Sequence, residues 1–375
     1  MPLQIPSSLL PSDGRFGAGP SKVRPAQVDA LRAAGDPRRP LLGTSHRQPG
    51  VKDLVRRVRT GLAELFDLPP GYEVALGNGG STAFWDVATA SLVRERAQHA
   101  VFGEFGGKFA AATRRAPFLA DPEVVEAAPG GVAHLTPSAS VDVYASPHNE
   151  TSTGAMAPVR RPAGSDQLVL TDATSGAGAL PVDLRETDVY YFGPQKVFGA
   201  DGGLWLALCS PAAIERAALV EASGGGRWVP EFLSLTTALA SSRLDQTLNT
   251  PAVGTLVMLA EQIEWILEQG GLEWSSGRSA TSARILYGWA EAREWATPFV
   301  ADPAERSTVV GTIDLDERVD ASAVVGNLRD NGVLDVFPYR KLGRNQVRVG
   351  MFPAVDPEDV RALTSCMDFI VNQVL

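Results

Sequence analysis

Apolar and polar positions along this chain follow two rhythms that repeatedly change places. Short, mostly apolar runs at residues 72–76, 141–145, 167–171, Val189–Phe192 and Leu204–Cys209 predict strands. Residues 82–93 carry the spacing of a helix that follows the first of them. The last two runs are joined by a loop too short for a crossover helix, which predicts an antiparallel pair inside a mainly parallel sheet. Residues 251–269 repeat apolar side chains at helical intervals (Leu256, Leu259, Ile263, Ile266, Leu267), enough for a helix that bridges two domains. Beyond Gly270 and Gly271 the pattern predicts a helix over 275–293, a strand over 309–314, a helix over 321–331, a strand over 346–349 and a last helix from Pro357. Residues 119–140, rich in Pro, Gly, Ala and Ser, read as surface connection. Residues 221–230, with Gly224, Gly225 and Gly226, read as a mobile loop. The whole is an α/β layered domain followed by a smaller α+β C-terminal domain.

A length of 375 residues supports that division. The expected boundaries are 14–268 for the large domain and 269–375 for the small one, with 1–13 as an extended arm. The net charge of −9 argues against a general nucleic-acid binder. An anionic ligand therefore needs positive charge gathered locally. Cys209 and Cys366 lie far apart in apolar surroundings, with no metal-ligand spacing and no disulfide framework. The N-terminus lacks a basic start and a continuous apolar run, and no stretch reaches the roughly 20 apolar residues of a membrane span. A soluble cytoplasmic protein, with no nucleic-acid or membrane partner and no metal, is the expectation.

Five segments could carry chemistry. Gly77-Asn78-Gly79-Gly80-Ser81-Thr82 joins a strand to a helix, where glycines allow close approach and free amides attract an anion; Ser81 or Thr82 could cap that helix. It is neither a Walker loop nor a good dinucleotide fingerprint, and an ordinary turn would look the same. Asp172 ends the apolar run Leu168-Val169-Leu170-Thr171, at the strand end where open α/β sheets bind ligands. It suits a protonated heterocyclic nitrogen; a helix cap or metal ligand is the plainer alternative. Lys196, on the tight loop Gly193-Pro194-Gln195, is a candidate imine-forming amine, or a solvent-facing loop lysine. Asn249-Thr250-Pro251 marks a helix start, with Thr250 as its cap or as part of a phosphate cup. Arg340, Lys341, Arg344 and Arg348 concentrate positive charge, and Arg348 falls on the polar side of a strand; His46-Arg47 is a second anion clamp, although each Arg alone reads equally as surface.

Taken in order, Gly19-Pro20, Ser45-His46-Arg47, Asn149-Glu150-Thr151, Asp172, Gln195-Lys196 and Asn249-Thr250 resemble the phosphoserine aminotransferases, a class-V, fold-type I family that uses pyridoxal 5'-phosphate. The resemblance runs from about Phe16 to the C-terminus, and the wording around His46, Trp85 and Arg344 is similar to the actinobacterial branch. It implies a seven-stranded mixed sheet in the large domain and a homodimer. It implies Lys196 as the Schiff-base lysine and Asp172 on the pyridine nitrogen. Gly80, Ser81 and Gln195 would hold the phosphate, joined by Asn249 and Thr250 of the neighbouring subunit. Thr151 would meet the ring hydroxyl region and Phe105 the ring face. Arg47 and Arg348, with His46 and Lys341, would bind substrate carboxylate or phosphate. The implied reaction exchanges an amino group between L-glutamate and 3-phosphooxypyruvate, or 4-phosphooxy-L-threonine in vitamin B6 synthesis. Two positions depart from the family pattern: Ala18 stands where many members have Ser, and Arg340-Lys341 replaces a His-Arg pair.

Rival readings are another class-V transaminase of the alanine–glyoxylate type, a cysteine desulfurase, and a non-catalytic phosphate-binding protein. The desulfurase needs a cysteine on a mobile loop, which neither Cys209 nor Cys366 provides.

Overall fold

The computed structural model describes residues 3–222 and 227–374. Helices α1 (Pro25–Ala34) and α2 (Pro49–Leu65) precede β1 (Glu73–Asn78), α3 (Ser81–Ser91), β2 (Ala97–Val101), α4 (Glu104–Arg115), β3 (Glu123–Glu126) and β4 (Val143–Pro147). A hairpin of β5 (Asn149–Glu150) and β6 (Ala155–Met156) leads to β7 (Leu168–Asp172), β8 (Val189–Phe192) and β9 (Leu204–Cys209). Helices α5 (Pro211–Ala222), α6 (Leu235–Arg243) and α7 (Val253–Gln269) complete the large layer. The small domain adds α8 (Gly271–Glu291), β10 (Ala296–Pro298), β11 (Val310–Leu315), α9 (Ala321–Asp330), β12 (Gln346–Gly350) and α10 (Pro357–Val374).

Seven strands form one sheet in the order β1-β9-β8-β7-β4-β2-β3. β9 runs antiparallel to both β1 and β8, and the other neighbours are parallel. The central strands β7, β8 and β9 are buried along their whole length, which is why they read as continuous apolar runs. Alternation splits their side chains between two cores: Tyr190 and Phe192 pack with α2 and α7, while Val189 and Tyr191 pack with α3 and α4. Gly61 permits the close crossing of α2 and α7, since a Cβ there would sit 2.7 Å from Ile263 Cγ2.

The small domain has a three-stranded antiparallel sheet, β10-β11-β12, whose core also takes Ile5 and Phe16 from the start of the chain. A single 3-10 turn, Ser7–Leu9, interrupts the N-terminal segment. From there the segment crosses to the large domain: Phe16 N–H donates to Leu334, its carbonyl accepts from Gly350, and Ala18 joins the large-domain core.

Several expected boundaries move. The connection at 119–140 contains β3, an edge strand held by parallel pairing to β2 and by Gln98 donating to Glu123 at 2.9 Å. Such a strand depends on its partner more than on local propensity. β4 begins at Val143, not at residue 141, after the Asp142 carboxylate turns to accept the amides of Arg94, Glu95 and Arg96. α7 starts at Val253 with Ala252 as its cap, so Thr250 caps nothing; its carbonyl accepts from Asn78 and its hydroxyl meets His46. α8 starts at Gly271, four residues before expectation, because Gly270 at φ +121° turns α7 into α8 without a linker. Gly224, Gly225 and Gly226 lie outside the described residues.

Asp142 accepts three amides at 2.7–2.9 Å and pairs with Arg216 at 3.1 Å while nearly buried. Asp142→Ala is expected to cost about 3 kcal/mol by stranding these donors, measured as a shift in the denaturant midpoint; an unchanged midpoint would show that water replaces the carboxylate.

Candidate active site

The carboxyl ends of the parallel strands converge on a cavity of about 390 Å³. Its walls include Gly80, Ser81, Phe105, Thr151, Asp172, Gln195 and Lys196, which sequence reasoning singled out, together with Trp85, Asn149 and Thr174.

Asp172 is the last residue of β7 and is 8% exposed. Its Oδ1 accepts the Thr174 N–H at 3.0 Å and the Thr174 hydroxyl at 2.5 Å, and its Oδ2 accepts the Trp85 indole N–H at 3.1 Å. A carboxylate offers about four lone-pair directions, so one remains for a ligand donor. Because Thr174 gives its only proton to Asp172, the Ser81 hydroxyl at 2.6 Å must donate to Thr174. Ser81 is thus committed sideways, and the cap of α3 is Gly80, with no side-chain cap bond. The expected capping by Ser81 or Thr82 does not occur. The first-turn amides of α3 have no partners within the helix, which leaves them available to an anion.

Lys196 follows β8 through the loop Gly193-Pro194-Gln195. Its Nζ donates to the Ala18 carbonyl at 2.9 Å and lies 5.9 Å from the Phe105 ring centre. Gly19 allows this approach: a Cβ there would lie 2.2 Å from Nζ, at a φ of +141°. Burial, reinforced by the Arg348 charge and opposed by Glu150 and Asp172, pulls the amine down to about 8.

Arg348, on β12, donates to the Thr151 carbonyl at 3.0 Å, and its buried Nε has no partner. Burial lowers its pKa. The guanidinium stacks over Tyr339, which faces Phe105 with ring centres 6.4 Å apart. Lys341 sits on an exposed 3-10 turn and pairs with Glu104 at the start of α4. His46, Arg47, Asn249, Thr250, Lys341 and Arg348 are not among the residues that line this chain's own cavity, although Arg348 bonds to Thr151, which does. Arg47 is exposed, His46 Nδ1 lies 3.2 Å from the Thr250 hydroxyl, and Asn249 pairs with Asn78 at the end of β1.

The cavity suits a planar heteroaromatic aldehyde with an anionic tail. It brings together an amine for the carbonyl, an acid that would suit a ring nitrogen, and a helix N-terminus that would suit the anion. The buried Asn149 Oδ1, which has no partner, offers one more acceptor on the wall. Sequence reasoning missed Trp85, Thr174 and Glu150 as parts of the site. Trp85, one turn into α3 on the side of Ser81, had a readable position; Glu150 had none, because its partners lie 44 and 45 residues away.

The class-V aminotransferase family model matches residues 132–335. A Rhodococcus opacus protein named phosphoserine aminotransferase is 58% identical over 371 residues, covering 99% of this chain and 98% of the relative. The crystal structure of a phosphoserine aminotransferase from Cytophaga hutchinsonii superposes with a TM-score of 0.88 at 22% identity, over 94% of this chain and 98% of that one. A pyridoxal-phosphate-bound phosphoserine aminotransferase from Trichomonas vaginalis gives 0.80 at 17% identity, over 95% and 99%.

The depressed Lys196 value sets a pH dependence. Below about 8 the amine is protonated and cannot attack an aldehyde; above it the neutral form prevails. Capture of pyridoxal phosphate by the apoprotein is expected to accelerate as pH rises, with a midpoint near 8, in stopped-flow absorbance. A rate still climbing at the ordinary lysine value of 10.5 would contradict the burial effect.

Proposed function

The chain belongs to the class-V aminotransferases and within them to the phosphoserine aminotransferases, and on that footing we propose how its own residues carry the exchange of an amino group between L-glutamate and 3-phosphooxypyruvate. The products are 2-oxoglutarate and O-phospho-L-serine. The observation that carries this reading is one cavity holding a buried acid, a depressed amine and a helix N-terminus.

Pyridoxal 5'-phosphate, when bound, supplies the carbonyl that takes up the amino group and an electron-poor ring that holds the charge left at the α-carbon. Asp172 would pair with the ring nitrogen, and Trp85 and Thr174 hold its carboxyl group in place. The amides of Gly80 and Ser81, with Gln195, hold the phosphate. The Ser81 hydroxyl serves Thr174 in this arrangement, so the backbone does most of that work. Thr151 borders the ring hydroxyl and Phe105 covers a ring face. The Lys196 amine takes the proton from the substrate α-carbon and returns it, a role suited to a base with a value near the working pH.

Arg348 receives the substrate α-carboxylate, for which its unpartnered Nε is a free donor. Lys341 and, across a homodimer, His46 and Arg47 receive the distal phosphate or carboxylate. Asn249 and Thr250 reach into the neighbouring subunit's phosphate site, in keeping with their lying off their own chain's cavity. For the domains we retain 14–268 and 269–375, with the N-terminal segment lying on the smaller one. The free, buried thiols of Cys209 and Cys366 suit a cytoplasmic setting.

Single-turnover absorbance with the loaded enzyme tests the substrate assignment. Phosphoserine should bleach the visible cofactor band at least about 100-fold faster than alanine, the discrimination a dedicated anion clamp supplies; 4-phosphooxy-L-threonine is the informative third substrate. Equal rates with alanine would return the chain to the alanine–glyoxylate reading.

Shared sites have a separate test. Lys196→Ala subunits mixed with Asn249→Ala/Thr250→Ala subunits should regain activity, because each heterodimer rebuilds one intact site. Failure to recover activity in verified heterodimers would place all contacts within one chain.

A further inference from the structure

The start of α4 is closed by a side chain from a distant segment. The Phe105 and Gly106 N–H groups both donate to Glu150 Oε2, at 3.0 and 3.1 Å. The Glu104 N–H donates to Ser152 Oγ at 3.0 Å, and Gly107 reaches the Gly103 carbonyl at 3.3 Å. Ser152 in turn donates to Glu150 Oε1 at 2.8 Å. Three of the amides that the helix itself leaves without partners, those of Glu104, Phe105 and Gly106, are therefore satisfied by a Glu150–Ser152 bracket, and Gly107 begins the ordinary helical ladder. Glu150 is completely buried, and Gly103 makes room for it: a Cβ at 103 would lie 2.0 Å from Glu150 Cγ.

Burying a carboxylate is costly, and helix starts elsewhere in this chain, such as those of α6 and α9, are capped by a neighbouring Ser or Asp. What the remote acid adds is a fixed distance. Thr151, between the two bracket residues, and Phe105, beside the capped end, both line the cavity. The bracket joins these two walls into one rigid unit.

We infer that Glu150 is a positioning residue that fixes Phe105 against Thr151 and thereby sets the slot the cofactor ring enters. This rests on the reading of Phe105 and Thr151 as ring contacts. Glu150 touches neither cofactor nor substrate; it acts through Phe105.

The test titrates apoenzyme with pyridoxal phosphate by fluorescence, beside a thermal melt. Glu150→Ala should raise the Kd about tenfold, the scale of losing a buried charge-assisted hydrogen bond. Glu150→Gln keeps an acceptor for both amides and a donor for Ser152, and should stay within about threefold of wild type. Phe105→Ala should also raise the Kd, and adding Glu150→Ala to it should change the value less than about twofold, because the two act as one unit. Should Glu150→Ala fail to fold, Ser152→Ala gives the same comparison with a smaller rise. Wild-type affinity in Glu150→Ala beside a weakened Phe105→Ala would overturn the inference alone. Wild-type affinity in Phe105→Ala would overturn the ring-face reading and the inference with it. Full additivity, or a Gln variant as poor as the Ala variant, would show that Glu150 acts by charge or by general stability instead.

Discussion

A carboxyl group shut away from water needs hydrogen-bond donors around it, and the site is organised around those that hold Asp172. Its three donors come from two different places: the turn after its own strand and the second turn of α3. The demand on Trp85 fixes the rotation of α3 about its axis. That rotation in turn presents the first-turn amides of the same helix to the cavity. The hydrogen bonds of one buried side chain thus set which amides face the cavity.

The sheet order makes this economical. Residues that follow β7 and β8, the Asp172 and Lys196 segments, emerge side by side because those strands are parallel neighbours. Their spacing along the chain is therefore irrelevant to their spacing in the site. The reversed strand β9 follows the lysine loop and lies between β8 and the edge strand β1, and the Lys196 amine is buried away from solvent. Desolvation and position of the amine arise from the same packing.

Asp172 and Lys196 were legible because each follows an apolar run that could only be a buried strand. The antiparallel pair β8–β9 was legible from loop length alone. β3 was not, since an edge strand takes its stability from its neighbour and half of its residues face water. The first turn of α7 was misplaced by two residues: the helix starts at Val253, and Asn78, distant in sequence, holds the Thr250 carbonyl outside it. The Glu150 bracket lay beyond local inference for the same reason: a cap supplied across the fold leaves no mark near the helix it closes. His46, Arg47, Asn249 and Thr250 could be named by family wording but not by any geometry within a single chain.

The N-terminal strap has a consequence for biogenesis. Ser12 bonds to Asp359 across 347 residues, and Phe16 fills a core whose other walls belong to the last third of the chain. Residues 5–16 thus wait for partners made hundreds of residues later before they find their places. The carbonyl that receives the Lys196 amine, that of Ala18, belongs to this same stretch. Closing so long a loop is entropically slow, and the lysine's polypeptide surroundings stay incomplete until the segment from α8 to α10 has been made. A partly made chain therefore presents its reactive amine in a more hydrated setting, where the neutral form is scarce and free aldehydes meet a weaker nucleophile.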